Sequence, residues 1–223
     1  MCVYLVRYPT PRSQLSSQRP LCTIRMSEVM VESSVSPPQP IISPLNQLLS
    51  VSTTVLQQAL DLVNNTLSSD DQLTVESRFL PGSTIGKHLR HARDHFVLLI
   101  DCVAGPEPHI LSYDTRSRNT PMESKLADAR EALKDAIARL EEVVPTAKLD
   151  QPLTLNAVTP FMQTFETTFG RELWFAGLHA VHHWSMVRVI AGELDIKLQD
   201  DFGFAPSTLL YKGSEAPLGK SKI

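Results

Sequence analysis

"GLHAVHHWSMVRVIAG" (residues 177–192) sets three histidines, His179, His182 and His183, within five positions of an otherwise apolar run. The pattern predicts a helix from about Arg171 to Gly192, where glycine is a natural stop. It is apolar nearly all round, so it should be the most buried helix of its fold. An α-helix turns about 100° per residue, which puts positions i and i+4 on one face. His179 and His183 therefore stand together, on a stripe that continues through Met186, Val187 and Ile190. His182 points about 60° away from His179 and about 100° away from His183.

The segments upstream supply the helices that would cover this one. From Leu45 to Leu67 apolar residues recur at a helical period, and "SSDD" (68–71) breaks the run. A second helix opens after Pro81 and Gly82 with Ser83 or Thr84 as its cap, and should end near Gly105. A third, rich in Ala, Leu, Glu and Lys, runs from Met122 to about Val143 with Pro121 in its first turn. Alternation in "LTLNAV" (153–158) and "MQTFETT" (162–168) predicts one or two short strands, or an extended crossover. The expected fold is all-α: a four-helix bundle with a long crossover between its third and fourth helices. Expected boundaries are 45–212 for the bundle and 213–223 for a tail, with the aromatics of "DFGFAPSTLLYKG" (201–213) packing back on the helices.

Residues 1–44 read differently. They hold seven of the sixteen prolines, and the first 25 residues carry Arg7, Arg12, Arg19 and Arg25 with no acid. A poorly ordered extension is expected, with a mitochondrial targeting segment as the alternative to a cytoplasmic chain. Cys2, Cys22 and Cys102 are too few and scattered for a disulfide scaffold. Arg188 interrupts the best apolar run, which argues against a membrane span. A net charge of −3, with basic residues dispersed among acids, offers no face for a phosphate backbone.

The second helix has its own histidines: His88, His91 and His95 lie within about 60° of one another. One of them could meet the His179/His183 pair across the core. Three neutral imidazoles with an open position suit a catalytic divalent metal. Spacing alone does not choose among the three, and a hydrogen-bonded histidine core is the alternative. Ala180, Val181 and His182 separate the pair, so the general base that a glutamate supplies in "HExxH" is missing.

Three stretches resemble the DinB-like superfamily of four-helix proteins, the DinB/YfiT-like metalloenzymes. They are "IGKHLRHARDHF" (85–96), "YDTRSRNT" (113–120), and "HAVHHWS" (179–185) leading into "DDFGFAPSTLLY" (200–211). The resemblance spans roughly 45–212. It implies one divalent ion held by three histidines, one from the second helix and two spaced by four on the last. Carried onto this chain, the ligands are His91, His179 and His183, with zinc, nickel or iron as the ion. His95 is the rival to His91, and it and His182 are the candidate catalytic residues; His88 and His182 are read as neighbours that could orient a ligand, act as acid or base on a bound water, or merely pack. Relatives of this kind include thiol-dependent transferases and a maleylpyruvate isomerase. The resemblance therefore implies a small-molecule substrate, with a low-molecular-weight thiol as partner; a non-catalytic metal- or ligand-binding bundle is the alternative.

Other polar residues have two readings each. Asp94 could accept from a ligand's second ring nitrogen or lie on the outer surface. In "YDTRSRNT", Asp114 could pair with Arg116 or Arg118, or an arginine could receive an anionic substrate. Trp174 and Trp184 are read as core. A homodimer is the expected assembly, if there is one.

Overall fold

The computed structural model describes residues 42–115 and 117–220. The extension expected over 1–44, apart from its last three residues, lies outside the described residues. Helix α1 (Pro44–Asp61) begins where proline fixes the first turn and the Ser43 hydroxyl accepts from the Asn46 N–H. It runs on through a π-helical turn, Leu62–Thr66, before the chain extends at Leu67. A single turn, α2 (Asp71–Thr74), follows, which the sequence pattern did not show. Helix α3 (Ile85–Ala104) starts on the Thr84 hydroxyl, which accepts from the Lys87 N–H, and stops at Gly105.

The expected third helix starts later than its pattern suggests. Pro121–Glu123 forms a separate 3-10 turn closed by a Thr120/Glu123 capping box, and α4 occupies Leu126–Val143. Its first N–H is capped from a distance, by Asp70 Oδ1 at 2.8 Å from Leu126 N. Strands β1 (Ile110–Leu111), β2 (Pro152–Val158) and β3 (Met162–Thr168) form one sheet. β2 and β3 pair antiparallel with Leu155 opposite Phe165, and β1 lies parallel to β2 with Ile110 opposite Thr154. Helix α5 (Phe169–Glu193) leaves β3 directly, capped by the Thr168 hydroxyl, and α6 (Pro206–Tyr211) ends the helices.

The long helices form a bundle in which α5 packs on α1 and α3, and α4 packs on the same two. Their facing stripes meet in one core that includes Leu56, Phe96, Leu133, Leu140, Phe169 and Trp184, all sealed from solvent. Burying side chains of this size is worth about 1.5–3 kcal/mol each. Trp184 also donates from Nε1 to the Val55 carbonyl at 2.9 Å, so its one polar atom is satisfied. Trp174, expected in the core, is 53% exposed. It sits on the outward face of a helix whose apolar residues outnumber the inward positions.

Two glycines permit close approaches. A Cβ at Gly86 would stand 2.0 Å from the Glu123 carbonyl oxygen, so α3 meets the 121–123 turn backbone to backbone. Arg90 reinforces that contact with an ion pair to Glu123 at 3.2 Å, both side chains buried. Gly203, at φ +76°, lets the tail lie against α5, where the Ser185 hydroxyl donates to its carbonyl at 2.6 Å. Phe202 stacks on Trp184 as the tail returns, whereas Tyr211 is exposed.

Candidate metal centre

Six of the seven histidines gather where α3 faces α5. His88, His91 and His95 come from α3, and His179, His182 and His183 from α5. The seventh, His109, is elsewhere, with its Nδ1 on the Cys102 carbonyl and its Nε2 facing Gln151. His179 Nε2 stands 3.1 Å from His91 Nε2 and 3.1 Å from His183 Nε2. His179 Nε2 is therefore flanked by a nitrogen from each of two other rings, whose own centroids are 4.5 Å apart. The edge of a tetrahedron drawn around zinc at its usual nitrogen distance is about 3.3–3.4 Å, so the observed spacing fits a divalent ion.

His95 enters the same cluster. One ligating nitrogen each from His91, His95 and His179 lies within 4.8 Å of the others. His91, His95 and His179 are thus the triad whose ligand atoms all lie close together, while His183 joins it through the contact of its Nε2 with that of His179. In His95 and His183 the outer ring nitrogen is engaged. His95 Nδ1 is 3.0 Å from the His91 carbonyl, which can only accept, so the ring must carry its proton there and its lone pair on Nε2. His183 Nδ1 is 2.7 Å from His88 Nδ1. Anchoring the second nitrogen fixes tautomer and ring plane, as ligating histidines need.

The electrostatics keep two of the rings neutral. Burial, then the neighbouring His179, His91, His88 and His182, push His183 down to about 2. Burial, then His182, pushes His88 down to about 4. A neutral imidazole is the form that ligates a cation. His182 lies at the exposed edge, its ring 5.3 Å from that of His183 and 6.3 Å from that of His179.

Aromatic side chains wall the cluster. Tyr113 stacks on His95 at 4.5 Å with the planes 15° apart, and its hydroxyl donates to Glu172 Oε2 at 2.9 Å. Glu172 is fully buried and also accepts from the Thr167 hydroxyl at 2.8 Å and from Arg171 at 3.0 Å. Burial and the Glu172 carboxylate hold the Tyr113 phenol well above its ordinary pKa, so it stays a donor. Phe175 stacks on His179, and the Arg171 guanidinium lies over the other ring, 5.1 Å from the Phe175 centroid.

One polar residue goes elsewhere than expected, and a second has a further partner. Asp94 neither supports a histidine nor lies on the surface. It is buried and paired with Arg90 at 3.5 Å and Arg93 at 3.4 Å, burial raising its pKa against the pull of both. Asp114 accepts from the Val158 N–H at 3.0 Å and so ties the connection after α3 to β2. Arg118 is exposed, and Arg116 lies outside the described residues. The Tyr113–Glu172 pair was missed, although spacing offered a signal. Glu172 precedes His179 by seven residues, about two turns, and so shares its face.

Comparison with known proteins gives the chain a family. The family model of the DinB superfamily matches residues 52–187, more than half of the chain, and spans every histidine of the cluster. A protein called FK506-binding protein 5 from Rhizopus delemar is 32% identical over 164 residues, which cover 70% of this chain and 36% of that protein. The chain thus spans about a third of that relative's length. No solved structure matches. With the family model covering most of the bundle and both histidine helices, the chain belongs to the DinB superfamily.

Proposed function

We propose that this chain is a divalent-metal-dependent enzyme acting on a small molecule, with His91, His179 and His183 as ligands of one zinc, nickel or iron ion. The observation that carries the reading is His179 Nε2 standing 3.1 Å from both His91 Nε2 and His183 Nε2, with the His91 and His183 rings 4.5 Å apart. The architecture proposed with it is the DinB-like four-helix bundle over 45–212, with the segment carrying β2 and β3 as its long crossover, an N-terminal extension before it and a tail from 213.

A divalent ion held by neutral imidazoles keeps its full charge and lowers the pKa of a thiol or water beside it. The protein's own groups would do the rest. His95, with Nδ1 occupied, offers Nε2 toward the cluster as the acid or base nearest the ligands. Tyr113 holds the plane of that ring through its stack. His182, at the exposed edge, is placed to pass protons to solvent. Phe175 supplies an apolar face beside His179, and Arg171, over Phe175 and paired with Glu172, a guanidinium one ring further out, a setting suited to an organic anion or a low-molecular-weight thiol bearing a carboxylate. The reactions that fit are thiol-dependent transfer and isomerisation. Among the described residues no helix is long and apolar enough to cross a membrane. A second copy of the chain is the proposed protein partner, which light scattering tests.

A second reading is favoured by His95. If its nitrogen joins the other three, four imidazoles close the site and the metal is structural. Cobalt substitution separates the two. An open site changes its visible spectrum when a small thiol is added, and a closed four-histidine site does not.

A further inference from the structure

His88 makes no contact suited to a ligand, yet it touches one. Its Nδ1 lies 2.7 Å from His183 Nδ1, short for a bond between two neutral rings. One ring must donate and the other accept. The far nitrogen of His88, Nε2, is buried and has no hydrogen-bond partner among the described residues. These two observations settle which proton goes where in each state of the site.

Consider the site without an ion. A buried N–H lacking an acceptor is rarer and worse than an unfilled lone pair. The proton of His88 therefore sits on Nδ1 and is donated to His183, leaving the lone pair on the isolated Nε2. His183 then carries its own proton on Nε2, 3.1 Å from His179 Nε2, which accepts it. With an ion present, His183 Nε2 must present a lone pair instead, so the His183 proton has to be on Nδ1. His88 Nδ1 must then accept, and His88 must be protonated on Nε2, a buried N–H without a partner among the described residues, whose cost ion binding has to exceed.

We propose that His88 is a positioning residue for the metal centre: it accepts the Nδ1–H of His183 when an ion is bound, and the pair exchanges donor and acceptor roles when the ion leaves. The bridging proton shifts from His88 to His183, and the proton that His183 gives up at Nε2 is matched by one gained at His88 Nε2, so the pair carries the same number of protons in both states. Both rings remain neutral throughout. The proton at His88 Nε2 thus records occupancy of the centre, at the far side of a ring that never touches the ion. This rests on the metal reading above, with His183 as a ligand.

The test uses the full chain with 15N-labelled histidine and zinc, which is redox-silent. Nitrogen shifts of His88 and His183 are followed with and without one equivalent of zinc. The proposal expects the His88 proton on Nδ1 without zinc and on Nε2 with it, and the reverse order of sites for His183. Zinc affinity is measured by chelator competition in His88→Leu and His88→Asn. The leucine should lose about 10- to 100-fold, the range for lost partners of ligands. Asparagine, whose side-chain oxygen stands near the place of Nδ1, should stay within about threefold of the original chain. Zinc bound with the His88 proton unmoved overturns the proposal alone, as does a leucine variant of undiminished affinity or an asparagine variant as weak as the leucine one. An original chain that takes up no zinc overturns the metal reading with it. If the leucine variant does not fold, the nitrogen shifts and the asparagine variant still decide.

Discussion

Tyr113→Phe isolates one bond that links the fold to the histidines. The phenylalanine keeps the ring stacked on His95 and removes only the hydroxyl, which donates to Glu172 at 2.9 Å. Glu172 has no exposure to water that could replace the lost donor. A hydrogen bond to a charged group is worth about 1.5–3 kcal/mol. The carboxylate retains Thr167 and Arg171, which places the loss toward the lower end, about 1.5–2 kcal/mol. For a domain of this size that lowers Tm by roughly 3–8 °C. Urea unfolding gives the value directly, and a double-mutant cycle with Glu172→Gln assigns it to the pair. The same bond has a pH signature. The folded phenol ionises well above the unfolded value of about 10, so its contribution is complete below pH 10 and declines above it, where only the unfolded chain ionises. The slope is about 1.4 kcal/mol per pH unit, and the Phe variant should lose that component. A stability change under about 0.5 kcal/mol, or an alkaline limb identical in both proteins, would refute this account of Glu172.

Gly86→Ala should destabilise by about 1–3 kcal/mol or more, because the new carbon meets the Glu123 backbone rather than a movable side chain; denaturant titration reads it. Trp184→Phe should lose about 1–2 kcal/mol from the bond to Val55 and the smaller ring, and a neutral result in urea would contradict the packing assigned to α1 and α5. Without metal, the depressed values of His183 and His88 make the folded chain bind fewer protons than the unfolded one below about pH 6.5. Stability should then be full above that pH and fall as acid is added through pH 4, as circular dichroism at fixed urea would show. His182→Ala, at the exposed edge, should keep its metal, whereas His179→Ala should lose it; atomic absorption on both distinguishes a ligand from a neighbour.

The four long helices were legible because periodic apolar stripes and local caps fix them. Thr84 and Pro44 act within one turn, and both stand where the pattern puts them. The later start of α4 was hidden because its cap, Asp70, comes from a remote loop. β1 was invisible for a similar reason: two residues have no period, and its partner is more than forty residues away. At the site, helical spacing brought His179 and His183 to one face and the three α3 histidines to another. It could not say which nitrogens converge, since that depends on χ angles set across the interface. Asp94 shows the same limit. Its spacing beside His91 suggested a histidine partner, but Arg90, one turn earlier on the same helix, takes it.

The central claim is that the converging nitrogens hold a metal, and elemental analysis tests it most directly. The full chain is purified without added metal or a histidine tag, beside a variant with His179→Ala and His183→Ala together. The account predicts about one equivalent of zinc, nickel or iron in the original chain and almost none in the variant, with helical content retained in both. An original chain that is empty and refuses added zinc, nickel and iron would contradict it, leaving the histidines as a hydrogen-bonded cluster between α3 and α5.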